Sequence, residues 1–320
     1  MAKIIGIGNA LVDILVPNTQ ESLLNDLNFG RGGMWHIDEQ RFVDLSRRIA
    51  PLRPVRATGG SAANTIHALS LMGAPTAFIG NVANDENGRF FAACLDERGT
   101  ENCLNILPNG RTGVATTFIM PDGERTFATF LGVAPHIDTG HLHFERYAPG
   151  DILHVEGYLV QEYDNIEEIM RQAKAAGLRV SYDLASYNIV RAHRDFVRYL
   201  VREYVDIVFA NEDEALAFAQ TPDMDAVINK LVADTEIAVV KVGKRGAYAA
   251  QGDIRTFAAA RSDILAKDST AAGDFFAAGF LYALNAGCEL TDCIRQGNYV
   301  AQQVIQVIGT QIDSIDLLTD

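Results

Sequence analysis

The chain has 320 residues, of which 48% are hydrophobic and 21% charged, a balance typical of a folded protein with a large core. Its formal net charge of −14 argues against a nucleic-acid partner, which selects a basic face. No uncharged stretch approaches the thickness of a bilayer, and the four cysteines show neither paired nor metal-ligand spacing. We therefore expect a cytoplasmic protein with no membrane partner.

Short β-rich segments alternate with helical segments through most of the chain. This alternation predicts an α/β fold with a doubly wound, mostly parallel sheet, helices on both faces and right-handed crossovers. The closely spaced strands within 239–257 predict an antiparallel end to the sheet, and 290–308 predict a long last helix. The predicted parallel strands are 77–80, 152–155, 179–183, 207–209 and 237–240.

Two segments, 15–57 and 110–131, break the alternation. In the second, Pro121-Asp122-Gly123-Glu124 separates two β-rich runs and predicts a hairpin, and the first contains a short apolar strand within 32–38. We expect one domain over residues 1–320, with a small β-sheet lid built from these two segments. The lid would cover the carboxyl ends of the main strands, where open α/β sheets bind ligands.

Residues 268–274 read Asp-Ser-Thr-Ala-Ala-Gly-Asp and run directly into an apolar helical stretch. Small residues at this junction let the first N–H groups of the helix converge on an anion such as a phosphate. Asp274 lies beside those donors and can take a proton from a hydroxyl that attacks phosphorus. Helix capping is the simpler alternative, but it leaves the small residues and Asp268 without a role. The small residues are Ala271, Ala272 and Gly273.

Several polar residues near the N-terminus can bind a polyhydroxylated acceptor. Asn9 and Asp13 lie four apart on what the pattern predicts as the first strand, so their side chains would share a face. Asp13 would accept both hydroxyls of a vicinal diol; the alternative is a buried pair satisfied by backbone N–H groups. In Gly59–Asn64, which opens a helix, Gly60 permits close approach of backbone and Asn64 would face the same cleft. Ser61 can instead be the N-cap of that helix.

A purine acceptor would also need flat apolar surfaces, and two aromatic residues can supply them. Tyr158 follows a predicted strand, and Trp35 lies in the predicted lid. Plain packing is the alternative for both.

Three further motifs can hold a phosphate donor. Asn211-Glu212-Asp213-Glu214 follows a strand and either positions a metal or simply begins a helix. In 241–246, which begins with Lys241, Gly243 and Gly246 permit a tight turn with exposed N–H groups for a nucleotide phosphate, or a plain hairpin. Arg125, on the second strand of the hairpin, can cover a transferred phosphoryl group or face solvent.

Taken together and in this order, the motifs resemble those of the ribokinase (PfkB) family of carbohydrate and nucleoside kinases. The resemblance spans nearly the whole chain. Ala271 departs from the Gly of many members, and it remains compatible with phosphate approach if its backbone angle is ordinary. Ser61, where ribokinase-like members have Lys, is more similar to adenosine kinases. The matching stretches are GIGNALVDI 6–14, GGSAAN 59–64, DGERT 122–126, NEDE 211–214, KVGKRG 241–246 and DSTAAGD 268–274.

The resemblance implies an ATP-dependent phosphotransferase that phosphorylates a primary hydroxyl, with conversion of adenosine to AMP as the leading reaction. It also implies Mg²⁺ held by Asn211 and Glu214 mostly through water, Asn298 near the adenine of ATP, and a monovalent cation such as K⁺ at Asp268 and the carbonyl of Thr270. The partner would be a small molecule, with a monomer and a homodimer both open.

Three other functions are compatible with parts of the sequence. A sugar kinase acting on ribose or fructose stays open, because a furanose-like diol would suit the same residues. A non-catalytic sugar- or nucleoside-binding relative would be expected to lack Asp274, Arg125 or the acidic motif, and all three are present. Gly6-Ile7-Gly8-Asn9 faintly suggests a dinucleotide-binding turn, but the third glycine is missing and a strand follows where that motif needs a helix.

Overall fold

The computed structural model of the protein describes residues 1–310 and 312–318. The strands are β1 Ile4–Ile7, β2 Leu11–Val16, β3 Met34–His36, β4 Val55–Gly59, β5 Thr76–Ala83, β6 Glu101–Leu107, β7 Gly113–Ile119, β8 Arg125–Phe130, β9 Ile152–Glu156, β10 Arg179–Asp183, β11 Ile207–Asn211, β12 Ile237–Lys241, β13 Ala247–Gln251 and β14 Ile254–Ala258. The helices are α1 Glu21–Asp26, α2 Glu39–Ile49, α3 Ser61–Leu71, α4 Glu86–Glu97, α5 Tyr163–Ala175, α6 Tyr187–Tyr204, α7 Glu212–Ala219, α8 Met224–Asp234, α9 Ala272–Asn285 and α10 Leu290–Val304.

The main sheet has nine strands within the described residues, in the order β14-β13-β12-β11-β10-β9-β1-β5-β6. All neighbouring pairs are parallel except β12-β13 and β13-β14, which confirms the predicted antiparallel end. The central strands are buried along almost their whole length, as expected where helices cover both faces of a parallel sheet. One apolar core lies under α3, α9 and α10, and a second lies under α5, α6, α7 and α8. The predicted α/β class is confirmed.

A second sheet of five strands, in the order β3-β8-β7-β2-β4, stands over one end of the main sheet. Its β7-β8 pair is the predicted hairpin. Residues on alternate positions of β2, such as Leu11, Asp13 and Leu15, line a cavity between the two sheets. Those on the other face, such as Val16, pack with Phe118 in a separate apolar cluster. Because side chains alternate along β2, one face of the strand lines the cavity and the other contributes to a small apolar core.

The prediction for the first strand was wrong. β1 ends at Ile7, and the chain crosses at Gly8–Ala10 into β2, which belongs to the second sheet. Asn9 and Asp13 therefore do not share one strand, although both line the same cavity. The strands of the second sheet begin at Leu11 rather than at 15 and extend to Gly59, because β2 and β4 pair along Leu11–Leu15. The last helix ends at Val304, short of 308.

None of the helices in the described part of the chain has the length and hydropathy that a membrane span requires. All four cysteines are free thiols.

Candidate active site

The carboxyl ends of four neighbouring parallel strands place four polar residues in one row. Glu156 of β9 is in register with Asp183 of β10, and Asn211 of β11 is in register with Lys241 of β12. The ends of parallel strands meet at one edge of a sheet, so residues far apart in sequence become neighbours there. This row forms one wall of the cavity between the sheets.

The cavity has a volume of about 840 Å³. Small-molecule sites usually measure about 300–1,000 Å³. A cavity at the upper end of that range can hold two ligands side by side. The main sheet forms its floor, the second sheet its roof, and the start of α9 one of its sides.

The start of α9 has an unusual backbone. Ala271 is the N-cap and lies in the left-handed region, with φ of 60°. The condition of an ordinary backbone angle at this position is therefore not met, and the conformation explains why glycine suits it. Gly273 and Asp274 follow as the second and third helical residues, and in the described chain their N–H groups have no hydrogen-bond acceptor. Free N–H groups at a helix start form an anion-binding site.

Asp274 is not a helix cap. Its Oδ1 accepts a hydrogen bond of 2.7 Å from the hydroxyl of Ser61, and its Oδ2 accepts one of 2.8 Å from Nδ2 of Asn64. Burial raises the pKa of Asp274 to about 7, against the lowering effect of the bonds from Asn64 and Ser61. A carboxylate whose pKa lies near neutrality is suited to act as a general base.

The same contacts correct the interpretation of Ser61 as a cap. Gly60 is the N-cap of α3, and Ser61 is its first helical residue, whose side chain leaves the helix to reach Asp274. Thr65, one turn later, donates a hydrogen bond of 3.2 Å to the carbonyl oxygen of Asp274. Three side chains of α3 thus fix the carboxylate and backbone at the start of α9.

Lys241 is a buried cation near this helix start. Its ammonium donates a hydrogen bond of 2.8 Å to Asp183, and both side chains are largely buried. Burial lowers the pKa of Lys241, but the neighbouring carboxylates of Asp183 and Glu214 outweigh it and leave the pKa raised. Lys241 is therefore charged and available to an anion at the site.

Asn211 and Glu214 form a capping box at the start of α7. The side chain of Asn211 accepts from the N–H of Glu214 at 2.9 Å, and the carboxylate of Glu214 accepts from the N–H of Asn211 at 2.7 Å. The helix-start alternative is thus realised, yet both residues also line the cavity. Burial and the nearby Asp183 raise the pKa of Glu214 to about 7. A cation bound beside Glu214 would favour the ionised form of this carboxylate.

Among the described residues, no group of three or more His, Cys, Asp or Glu side chains could hold a metal ion directly. Asn211 and Glu214 line the cavity with side-chain oxygens that could hold a magnesium ion through its waters.

Arg125 reaches from the second sheet to the loop before α9. It forms an ion pair with the buried Asp268 and donates a hydrogen bond of 2.6 Å to the hydroxyl of Thr270. Asp268 also accepts from the N–H groups of Thr270 and Gly309. Its oxygens are occupied, so a monovalent cation there would have to displace the arginine. In this structure Arg125 therefore contacts the loop before α9, whereas the sequence predicts that it covers the transferred phosphoryl group.

Asp13 of β2 lines the cavity from the second sheet. Burial raises its pKa to about 7, and Arg125 opposes that shift. Asp13 is partly buried, and no described residue donates a hydrogen bond to its carboxylate. Both oxygens are therefore available for hydroxyl groups.

One predicted acceptor residue lies elsewhere. Met34 and His36 of β3 line the cavity, whereas Trp35 points to the opposite face, where it packs against Phe29 and is 38% exposed. The alternation of side chains along a strand explains why the structure does not bring Trp35, a predicted acceptor-binding residue, into the cavity. The remaining predicted site residues that line the cavity are Asn9, Gly60, Asn64, Tyr158, Gly243, Gly246, Ala271, Ala272, Gly273 and Asn298.

Two residues of the site were missed by the sequence prediction. Asp183 and Glu156 each end a buried strand of the main sheet, and a carboxylate at that position was the signal that could have found them. The prediction instead selected Tyr158, two residues beyond Glu156.

An α/β fold with free N–H groups at a helix start, a buried carboxylate beside them and a roof sheet is the arrangement expected of a phosphotransferase site. A family profile described as pfkB family carbohydrate kinase matches residues 36–317. The chain therefore belongs to the pfkB family of carbohydrate kinases, and the protein is a kinase.

The chain is also similar to individual relatives over almost its whole length. Adenosine kinase from Sinorhizobium meliloti is 32% identical, with 97% of this chain and 96% of that one covered and a TM-score of 0.87. A probable sugar kinase from Rhizobium etli CFN 42 is 32% identical, with coverage of 97% and 94% and a TM-score of 0.86. Adenosine kinase of Dictyostelium discoideum is 26% identical, with coverage of 97% and 96%.

Proposed function

We propose that the protein transfers the terminal phosphoryl group of ATP to a primary hydroxyl of adenosine, yielding AMP and ADP. The observation that carries the proposal is the environment of Asp274, which is held by Ser61 and Asn64 beside the free N–H groups at the start of α9. The similarity to adenosine kinases over nearly the whole chain supports adenosine as the acceptor.

In the proposed reaction, Asp274 takes the proton of the acceptor hydroxyl as its oxygen attacks the terminal phosphorus. The bond between that phosphorus and the bridging oxygen breaks, and ADP leaves with the electron pair. The N–H groups of Gly273 and Asp274, together with Lys241, stabilise the negative charge on the transferred group. The turn 243–246 and Asn298 hold the rest of the nucleotide.

On the acceptor side, Asp13 accepts the ribose hydroxyls and Tyr158 offers a flat surface for the purine. Glu214 and Asn211 would hold a magnesium ion through its waters, and that ion would offset phosphate charge. A monovalent cation would bind at Asp268 only after Arg125 has left that carboxylate and moved to the phosphates. The second sheet acts as the lid that keeps water from the phosphoryl group.

A sugar kinase is the second candidate. The probable sugar kinase from Rhizobium etli supports it, because this relative is 32% identical, as is the adenosine kinase from Sinorhizobium meliloti. Asp13, Asn9 and Asn64 would bind a furanose in the same way. With Trp35 outside the cavity, Tyr158 and Ser61 are the residues that favour the purine.

A coupled assay of ADP release across adenosine, other nucleosides, ribose and fructose tests the proposal. We expect the highest kcat/KM on adenosine and loss of activity when EDTA removes Mg²⁺. Faster turnover of a free sugar would overturn the choice of adenosine, and no turnover of any acceptor would overturn the kinase. The Asp274→Asn variant is the control that ties the signal to this site.

A further inference from the structure

Glu156 is fully buried at the end of β9, and three N–H donors converge on it. Its Oε1 accepts from the backbone N–H of Asn9 at 3.2 Å and from the side-chain Nδ2 of Asn9 at 2.6 Å. Its Oε2 accepts from the backbone N–H of Ala62, at the start of α3, at 3.3 Å. Glu156 therefore joins the crossing between the two sheets to the helix that carries Ser61 and Asn64.

The glycine before Asn9 permits this arrangement. A Cβ atom on Gly8 would lie 2.5 Å from Oε2 of Glu156 and 3.0 Å from the Cβ of Ala62. The first distance is shorter than real Cβ contacts and the second is tight, so a side chain at position 8 would force the carboxylate of Glu156 to shift. The glycine that faintly suggested a dinucleotide-binding turn is thus explained by the close approach of a carboxylate.

The side-chain amide of Asn9 has one orientation in this setting. Oε1 of Glu156 also accepts from the backbone N–H of Asn9, so this oxygen is an acceptor that selects the nitrogen of the amide and repels its oxygen. The oxygen, Oδ1, is buried and has no hydrogen-bond partner among the described residues. Asn9 lines the cavity, and the residue is 4% exposed. A buried acceptor without a partner is costly unless a ligand donates to it.

We propose that Glu156 is a positioning residue that holds the amide of Asn9 with its nitrogen on the carboxylate and its oxygen left for a hydrogen-bond donor of the ligand. Position 9 then recognises a hydrogen-bond donor on the acceptor substrate and disfavours a molecule that lacks it. The inference rests on the proposed function for the identity of the acceptor, but the orientation of the amide depends only on contacts within the chain.

The first arm of the test needs no substrate. In protein labelled with ¹⁵N at asparagine, the side-chain amide of Asn9 is assigned by its loss in Asn9→Ala. We expect its hydrogens to exchange with solvent at least about tenfold more slowly in the wild type than in Glu156→Gln, because a bond to a buried carboxylate protects them. Equal exchange rates in the two proteins would overturn the proposal.

The second arm measures discrimination. We compare kcat/KM on adenosine with that on 2′-deoxyadenosine, 3′-deoxyadenosine and N⁶-dimethyladenosine, each of which lacks a donor. We expect the kcat/KM of the wild type on at least one analogue to be more than about tenfold lower than on adenosine. In Glu156→Gln and Asn9→Ala this ratio should fall to about threefold or less. The KM for ATP should stay unchanged. If ribose or fructose is the acceptor, the deoxy sugars replace the deoxynucleosides.

Asp151→Asn is the matched control. Asp151 is a buried carboxylate just before the other end of the same strand, where it accepts from the N–H groups of Lys3 and Ala148. It should keep the full discrimination of the wild type. If Glu156→Gln fails to fold, the Asn9→Ala variant tests the proposal alone. Full discrimination between adenosine and its analogues in Asn9→Ala would overturn the role of position 9.

The two hypotheses fail separately. Absence of phosphorylation of any acceptor would overturn the proposed function, and the exchange arm would then decide the orientation of Asn9 by itself. Undiminished discrimination in Glu156→Gln in an active kinase would overturn the positioning role alone.

Discussion

The ammonium of Lys241 donates to Asp183 at 2.8 Å and also lies 3.2 Å from the point where a side chain on Gly273 would begin. One cation thus serves a buried carboxylate of the main sheet and the backbone at the start of α9. Since Gly273 has no side chain, the ammonium can approach the helix start closely. An arriving phosphate would find it already desolvated and in position.

The Lys241–Asp183 pair should be important for stability as well as for binding. In Lys241→Met the buried carboxylate loses its partner, so we expect the free energy of unfolding to fall by about 2–4 kcal/mol. The KM for ATP should also rise. Urea denaturation and steady-state kinetics check both.

Two controls test whether the unpaired carboxylate causes the loss. The exposed pair Lys174–Asp206 has a similar distance of 2.7 Å but more solvent contact, so Lys174→Met should cost less than about 1 kcal/mol. Adding Asp183→Asn to Lys241→Met should restore most of the lost stability. A double variant no more stable than the single one would contradict a loss caused by the unpaired Asp183.

The rate should depend on the ionisation of Asp274. Its pKa of about 7 means that the base is protonated, and inactive, at lower pH. With saturating acceptor, kcat should fall about tenfold per pH unit below 7 and level off above it. Asp13 has a similar pKa and must be ionised to accept two hydroxyls, so kcat/KM for the acceptor should fall more steeply. In Asp13→Asn the steeper fall should disappear, and its persistence would exclude this assignment.

Replacing Asp274 should abolish turnover. It should also change the free energy of unfolding, in a direction that favours the variant increasingly as the pH rises. In Asp274→Asn we expect kcat to drop by at least about 10³-fold. The folded-state pKa of Asp274 lies above its ordinary value of 3.8, so its contribution to wild-type stability is greatest at low pH and is lost as pH rises through about 7. The variant has no such group. The difference in free energy of unfolding should therefore shift in favour of the variant by about 1–3 kcal/mol between pH 5 and pH 9.

The left-handed backbone at Ala271 predicts a stabilising substitution. Ala271→Gly should raise the free energy of unfolding by about 1 kcal/mol, because glycine adopts φ of 60° without steric cost. The control is Ala286 at the C-cap of the same helix, which has φ of −82°, so that Ala286→Gly should destabilise by about 0.5–1 kcal/mol. Thermal unfolding with activity measured in parallel checks both; a loss of stability in Ala271→Gly would show that the strain is absent.

The link between Arg125 and the loop before α9 should affect turnover. Arg125→Met removes the ion pair to Asp268 and the bond to Thr270, so the segment that begins α9 should lose order. We expect kcat to fall by about 10²-fold. Arg111, which forms an exposed pair with Glu39, is the matched control, and Arg111→Met should have no effect on kcat. Equal rates in the two variants would remove Arg125 from the mechanism.

Much of the site could be predicted from local sequence. The stretches 59–64 and 268–274 each have the composition of a helix start, and the structure brings them together through Ser61, Asn64 and Asp274. The failures have a common cause. Asn9 and Asp13 looked like one strand because local polarity does not show that the chain changes sheet at Gly8–Ala10. Trp35 was assigned to the cavity because a strand of three residues does not show which face is inward.

The order of residues along the chain determined the α/β class, the hairpin and the helix starts, because these depend on hydrophobic period, turn chemistry and small residues within a few positions. Only the folded molecule decided which carboxylates are partners. Asp183 meets Lys241, and Glu156 meets Asn9, because parallel strands align their ends across sequence separations of 58 and 147 residues. Burial at that edge then raised the pKa of Asp274 to about 7, a property that depends on desolvation by distant residues and not on its neighbours in sequence.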